Sequence, residues 1–446
     1  MIPPCIWTFL SSLGESEFFS KLLEITARCA NFAPNVRQIA ADRRTAYDRN
    51  PPPRGGTAGS DVACGRFPVS HAPSNTPKEL PHGTVAVAMS GGVDSSVAAA
   101  LLARQGHPVI GVTLQMWSSA DAADDRAANT CRACHAIEDA RAVAARLRIP
   151  YYVLEAGAEF EREVAGPFAE QYLQGLTPNP CLPCNARLKF GILLRQAQAW
   201  GATRLATGHY ARIDRDPATG RFLLRRARDH RKDQSYFLSR LDQEQLAAAL
   251  FPLGELEKAD TRRIAAELGL PVADKPESQQ ACFAAGDYRA YLRQRAGHAL
   301  TPGAIRDASG AVLGRHDGLA LYTVGQRHGL GLGSPRPRYV LRLDAARNEV
   351  IVGGLEELEV AEIELDGVNL IALPELREAR EVLAKIRSTG PPVAATVWPV
   401  RQGRSRLAFE RPQRAVAPGQ AAVLYDATDP DLVLGGGTIV SSGTAR

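Results

Sequence analysis

At 446 residues the chain has room for about three domains. Its 45% hydrophobic and 23% charged content is that of a globular protein with ample cores. No apolar stretch approaches the roughly 18 residues a membrane helix needs, which argues against an integral membrane protein. The formal charge of +5 only permits a polyanionic partner, so local clusters must carry that argument.

Residues 1–80 differ from the rest. Ile6 to Leu23 is weakly amphipathic, and Pro51-Pro52-Pro53, Gly55-Gly56 and the Ser/Pro/Gly-rich run to Pro81 read as a flexible linker. Arginines dominate from Arg28 to Arg54, as in a targeting presequence. The acids Glu15, Glu17, Glu24, Asp42 and Asp48 argue against one, so an unstructured extension, even an overextended start, is expected.

From Thr84 the chain alternates. Strand Val85 to Met89 precedes Ser90-Gly-Gly-Val-Asp-Ser-Ser96, and the apolar residues of Val93 to Gln105 recur at helical spacing. A strand, a glycine turn and a helix in that order make an anion site: Gly91 and Gly92 allow close backbone approach, and the free N–H groups of the helix start point at the anion. The loop lacks the lysine of a Walker A motif. It resembles instead the PP-loop of the ATP pyrophosphatases, which bind the leaving pyrophosphate while adenylating a substrate; that resemblance gives Asp94 a part in magnesium and pyrophosphate binding.

Further on, the pattern predicts strand Val109 to Leu114, helix Ala136 to Leu147, strand Tyr151 to Leu154, helices Glu159 to Leu173 and Ala186 to Trp200, and strand Arg204 to Thr207. Such alternation implies an α/β, Rossmann-like domain with a parallel sheet, its ligands at the carboxyl ends of the strands. After about Tyr288, short strands such as Leu319 to Val324, Tyr339 to Leu343 and Glu349 to Val352 point to mainly β modules. The expected division is an extension at 1–80, a PP-loop domain at 81–288, a small central mainly β domain at 289–360 and a C-terminal β-barrel-like domain at 361–446.

The eight cysteines are Cys5, Cys29, Cys64, Cys131, Cys134, Cys181, Cys184 and Cys282, with none beyond. A disulfide framework would not be distributed so, and a reducing, cytoplasmic setting is expected. Cys181-Leu-Pro-Cys184 lies between Thr177-Pro-Asn-Pro180 and a helix starting near Asn185. A cysteine before a helix start, near Arg187 and Lys189, is expected to gain thiolate character. The two C-x-x-C pairs formally match a zinc pattern, but their separation weakens it. An iron-sulfur cluster on Cys181, Cys184 and Cys282 is the sharper metal alternative.

Thr177-Pro-Asn-Pro with Cys184-Asn185 and Lys189-Phe190, Ala206-Thr-Gly-His-Tyr210, Lys232-Asp-Gln-Ser-Tyr-Phe237, Cys282-Phe283 and Thr323-Val-Gly-Gln-Arg327 together resemble the tRNA-specific 2-thiouridylases, in that family's order from Thr84 to Gly437. The resemblance implies that Cys184 is the nucleophile and Cys282 the carrier of a persulfide. ATP would be held by Ala88, Met89, Ser90, Gly91, Gly92, Val93, Asp94 and Ser95, with Leu114 and Gly208. Asn179, Pro180 and Cys181 would border the target base, and His209, Lys232, Asp233 and Gln234 would contact tRNA, as would Arg387, Ser388 and Gln420. Lys385-Ile-Arg-Ser388 departs from the Arg-Tyr usual there. The implied reaction is ATP-dependent 2-thiolation of the wobble uridine, with ATP and Mg2+ as cofactors and a cysteine desulfurase or sulfur-carrier relay as partner.

The basic run Arg221, Arg225, Arg226, Arg228, Arg231 and Lys232 is expected to meet phosphates, with Arg401, Arg404, Arg406, Arg411 and Arg414 as a second basic zone. Two rivals stay open at this point: another PP-loop adenylating enzyme, and a tRNA-binding module without activity.

Overall fold

In the computed structural model the described residues are 80–116, 127–276, 282–283, 288–296, 299–333, 336–399 and 403–444, with backbone alone for 127–134 and 441–444. The expected N-terminal extension lies outside them, as does Arg401.

The short run Val85-Ala-Val-Ala88 forms β1, and its buried side chains on both faces are those of a central parallel strand. Parallel to it on one side runs β2 (Val109–Gln115), with Val85 opposite Val109, and beyond that β3 (Tyr151–Glu155). On its other side lies β4 (Arg204–Thr207), with Val85 opposite Arg204. A hairpin, β5 (Ala211–Arg215) and β6 (Phe222–Arg226), then leaves the sheet before β7 (Ala249–Leu250) completes the order β3-β2-β1-β4-β7. The order reverses between β1 and β4, and a ligand crevice opens at such a reversal, outside the carboxyl ends of the strands.

Helices cover both faces. Val93–Arg104 buries Val97, Ala98 and Ala99 against Val143 and Ala144 of Ala127–Leu147, a helix that starts nine residues earlier than its apolar periodicity implies. The opposite face packs on Phe190, Leu193, Leu194 and Ala197.

The C-terminal part is antiparallel. Its strands are β12 (Glu359–Leu370), β13 (Arg380–Lys385), β14 (Val393–Pro399), β15 (Ser405–Arg414), β16 (Ala421–Asp426) and β17 (Leu432–Thr444), in the order β12-β15-β14-β13-β16-β17. Pairing of β12 with β17 closes them into a barrel, which removes the exposed edges an open sheet would keep. The β5–β6 hairpin adds to this sheet, with Leu224 opposite Val433. One apolar core therefore runs from Ala86 and Val112 of the parallel sheet through Leu224 and Tyr236 to Val423 and Tyr425 of the barrel.

Between the two, β8 (Gly303–Asp307), β9 (Val312–His316), β10 (Tyr339–Asp344) and β11 (Glu349–Gly353) form a separate four-stranded sheet. Leu319 to Val324, expected as a strand, is instead a 3-10 turn at Leu319–Leu321. Leu319, Ala320 and Leu321 are all buried, and an unbroken buried run carries no period that separates strand from turn. Among the described residues no helix is long and apolar enough to cross a membrane.

Candidate functional site

The crevice between β1 and β4 is shaped by two glycines. Gly91 has φ +67°, and a Cβ there would stand 2.2 Å from the Ala136 carbonyl oxygen, so neither the backbone conformation nor the space admits a side chain. Gly208, directly after β4, faces the start of Val93–Arg104 so closely that a Cβ would lie 2.5 Å from the Ser95 nitrogen. Loop hydroxyls fix the turn: Ser95 Oγ accepts from the Ser90 N–H at 3.1 Å and lies 3.2 Å from Ser90 Oγ, and Ser96 Oγ donates to the Gly92 carbonyl at 2.8 Å. The first-turn N–H groups of a helix have no intrahelical acceptor, so the arrangement suits a phosphate anion. Ala88 is half-buried at the end of β1, and Met89 and Val93 are buried beneath the loop.

Two lysines that sequence motifs did not single out reach this loop. Lys258 Nζ lies 2.6 and 2.9 Å from the two Asp94 carboxylate oxygens, and the Tyr210 hydroxyl donates to the same carboxylate at 3.0 Å. Lys275 Nζ donates to the Gly91 carbonyl at 2.9 Å and meets Asp139 at 2.5 Å. Lys258 and Lys275 stand 164 and 184 residues from their loop partners, beyond the reach of any local pattern.

The second half of the site is apolar. Thr177 to Pro180 leads into a helical run, Cys181–Pro183, then Cys184–Leu193 in the wide π form, then Leu194–Ala199. Departures into π geometry concentrate at functional sites. The Asn179 side-chain oxygen accepts from the Cys181 N–H at 3.0 Å, an Asx-type turn that leads into the run. Cys184 packs against a cluster containing Phe160, Phe168, Leu188 and Phe283. The Phe283 ring stands 5.1 Å from Phe168, 5.1 Å from Tyr291 and 5.6 Å from Phe160, and so anchors Cys282 beside the same cluster. Leu114, near the end of β2, packs against both this cluster and the sheet core, and β2 pairs with β1, so one strand links the anion loop to the thiol cluster.

Cys181, Cys184 and Cys282 are free thiols near enough to influence one another's ionisation. Cys184 is half-buried, and although Cys181 and Cys282 reach the surface, the protein around all three raises their pKa values. Burial pushes Cys282 up to about 12, with Cys184 and Cys181 adding to it and Lys189 opposing it. The expected thiolate character of Cys184 is thereby corrected: desolvation among the aromatic rings outweighs Lys189, and the thiol stays protonated in this conformation. Among the described residues no three His, Cys, Asp or Glu side chains stand where they could share a metal ion. The Cys131 and Cys134 side chains lie outside the described residues.

The barrel reaches this loop. The Thr177 N–H donates to the Pro418 carbonyl at 2.8 Å, and Gln420 Nε2 donates to the Thr177 carbonyl at 2.9 Å. His209 is half-buried, its Nδ1 2.7 Å from Thr207 Oγ1, and burial followed by Lys189 holds its pKa well below the ordinary histidine range. Gln234 accepts from the Tyr210 N–H at 3.0 Å. The Asp233 carboxylate faces inward and accepts from the Ser235 hydroxyl at 2.9 Å and the Ala227 N–H at 3.1 Å. Lys232 is half-buried, Arg387 exposed and Ser388 half-buried.

The basic run beginning at Arg221 is largely committed to the protein itself, contrary to expectation. Arg221 donates to the Ile371 and Leu370 carbonyls at 3.0 and 3.2 Å, Arg225 pairs with Asp214 at 2.7 Å and Asp429 at 2.8 Å, and Arg226 meets Asp233 at 3.4 Å. Half of this run, Arg221, Arg225 and Arg226, falls on the hairpin, and Arg221 and Arg225 fasten the hairpin to the barrel. In the second zone, Arg404, Arg406 and Arg414 face Asp366, Glu362 and Glu359 at 3.6, 3.6 and 2.8 Å.

Three family models match the chain in succession: a tRNA methyl transferase HUP domain over residues 83–286, a tRNA methyl transferase PRC-barrel domain over 289–354, and an aminomethyltransferase β-barrel domain over 360–439. Among curated relatives, the tRNA-specific 2-thiouridylase MnmA of Moorella thermoacetica is 52% identical over 356 residues, covering 80% of this chain and 99% of the relative. Proteins of the same name from Symbiobacterium thermophilum (49% identical, 80% of this chain, 91% of the relative) and Magnetococcus marinus (50%, 80% and 98%) match over the same extent.

Proposed function

Since the chain belongs to the family of the tRNA-specific 2-thiouridylases, we propose that it replaces the C2 oxygen of the wobble uridine of tRNA with sulfur, using ATP. It is a tRNA sulfurtransferase. The family-model descriptions speak of methyl transfer and the relatives' names of thiolation; identity of about half over nearly the whole length of those relatives decides for thiolation. The observation that carries the mechanism is that β2 links the two halves: it pairs with β1, which ends in the anion loop, and its Leu114 packs in the cluster that holds Cys184.

Each half supplies one step. The C2 oxygen of uracil is a poor leaving group, so it first attacks the α-phosphorus of ATP, and pyrophosphate departs. The Gly91-Gly92 backbone and the first turn of Val93–Arg104 receive that pyrophosphate, with Lys258 and Lys275 beside it. Asp94 would hold Mg2+ on release from Lys258; the ion supplies charge neutralisation on the phosphates. Sulfur then displaces AMP from C2. A Cys184 thiolate attacks the inner sulfur of a persulfide on Cys282, releasing hydrosulfide as nucleophile, or the persulfide attacks C2 first and Cys184 then cleaves the S–S bond. Either route ends in a Cys184–Cys282 disulfide that an external thiol must reduce.

Asn179, Pro180 and Cys181 border the base, while His209, Lys232, Gln234, Arg387, Ser388 and Gln420 face the RNA. The 81–288 segment performs the chemistry, 289–360 spaces it, and the barrel of 361–446 grips the tRNA. A persulfide must arrive from a cysteine desulfurase or carrier, and unbridged thiols suit a reducing cytoplasm. Mass spectrometry of nucleosides from tRNA incubated with the protein, ATP and a persulfide donor tests the reading: 2-thiouridine at the wobble position is expected. Its absence while ATP is still cleaved to AMP would leave an adenylating enzyme of another target.

A further inference from the structure

Beside the Thr177 to Pro180 loop lies a cavity of about 120 Å3 between the cysteine helix and the barrel. Asn179 and Pro180 line it, and so do Arg187, Arg240 and Glu163. Arg187 is answered by Glu163 at 3.2 Å, and Glu163 is answered a second time by Arg162 at 2.9 Å. Arg240 differs. It is half-buried and donates to Thr438 Oγ1 of β17, and no carboxylate pairs with it among the described residues. Burial, and then the neighbouring Arg187 guanidinium, both act against its charge. A guanidinium withdrawn from water beside a second one, without a counter-ion, is a poor structural element and a good anion receptor.

We propose that Arg240, with Arg187, holds a phosphodiester of the substrate RNA next to the target nucleotide, fixing the backbone while the base enters between Asn179 and Cys184. This rests on the tRNA-thiolation reading and adds to it a phosphate site at the seam between catalytic domain and barrel. Arg240 acts as a positioning residue: it sets the register of the strand, and Thr438 sets its own direction from the barrel side.

The test uses the full chain and an anticodon stem-loop RNA carrying the wobble uridine. Dissociation constants are measured by fluorescence anisotropy over a range of salt, and thiolation by single turnover. Arg240→Met should raise Kd about tenfold and flatten the dependence of log Kd on log salt by about one unit, with Arg240→Lys recovering part of the affinity. A neutral methylphosphonate placed in turn at each phosphate around the target uridine should reproduce that loss in the wild type at one position. The same RNA should lose nothing further with Arg240→Met. The scan on wild-type protein stands even if the variant folds poorly. The inference fails if wild-type protein thiolates the RNA but no phosphate couples to Arg240, or if Arg240→Met keeps its affinity and salt slope; the thiolation reading survives both results. Wild-type protein that neither binds nor thiolates the RNA brings down both.

Discussion

The crevice at the end of β1 and the pocket around Cys184 are linked by β2 and its Leu114, yet they are made of opposite materials. The crevice is polar: hydroxyls, backbone N–H groups, a carboxylate and two ammonium groups hold one another at hydrogen-bond distance. The pocket is aromatic, and its thiols are raised by burial instead of being activated. Phosphoryl chemistry develops charge that fixed dipoles and cations must meet, whereas sulfur held as persulfide has to be kept from water and stray oxidants. In the resting protein the first half is ready and the second is restrained.

The sharpest way to break this division is to remove the sulfurs alone. Cys184→Ser or Cys282→Ser should lower thiolation by about 10³-fold or more in single-turnover assays while nucleotide affinity stays within about twofold. Loss of ATP binding in either variant would mean that the two halves are not separable. Next in size is Lys258→Met, which removes an ammonium group from beside the departing pyrophosphate; AMP release should fall about 10²-fold, with alkylation of Cys184 unchanged. Phe283→Ala should destabilise the fold by about 3 kcal/mol in denaturant titration, since its buried ring touches three others. It should also speed Cys282 alkylation at pH 8, because water entering the cluster relieves the burial that raises the thiol.

The smallest effect is the pH profile itself. With the Cys282 thiol at about 12 and Cys184 above its ordinary value, alkylation followed by mass spectrometry should rise about tenfold per pH unit from 7 to 9 without a plateau. The sign for stability is the matching one. The unfolded chain deprotonates first, near 8.5, so the contribution of Cys282 is whole below that pH and is lost progressively toward 12. A plateau below pH 8 would show an activated thiolate and erase the contrast between the halves.

Much of the crevice was legible because its parts are contiguous. Ser90 to Ser96 encodes strand end, turn and helix start in seven residues, and strand Arg204 to Thr207 falls where periodicity placed it. Lys258 and Lys275 were not legible, since a lysine bound to a partner more than 160 residues away carries no local signature. The thiols show the reverse failure. Their positions were readable, but their ionisation was misjudged, because a helix start and nearby cations are visible in sequence while the aromatic cluster that outweighs them assembles only on folding. Arginine clustering misled for the same reason: the acids that answer Arg225, Asp214 and Asp429, are scattered along the chain.

The hairpin of β5 and β6 also sets a schedule for synthesis. Its outer partner β17 is encoded roughly two hundred residues later, so a ribosome adding about 5–20 residues per second leaves that strand edge without its mate for about 10 to 40 s. Through that interval the nascent chain carries an open β edge and an incomplete core around Leu224. Chains cut short before the barrel should therefore be recovered as aggregates or bound to chaperones, and the catalytic part expressed alone should need a substitute strand.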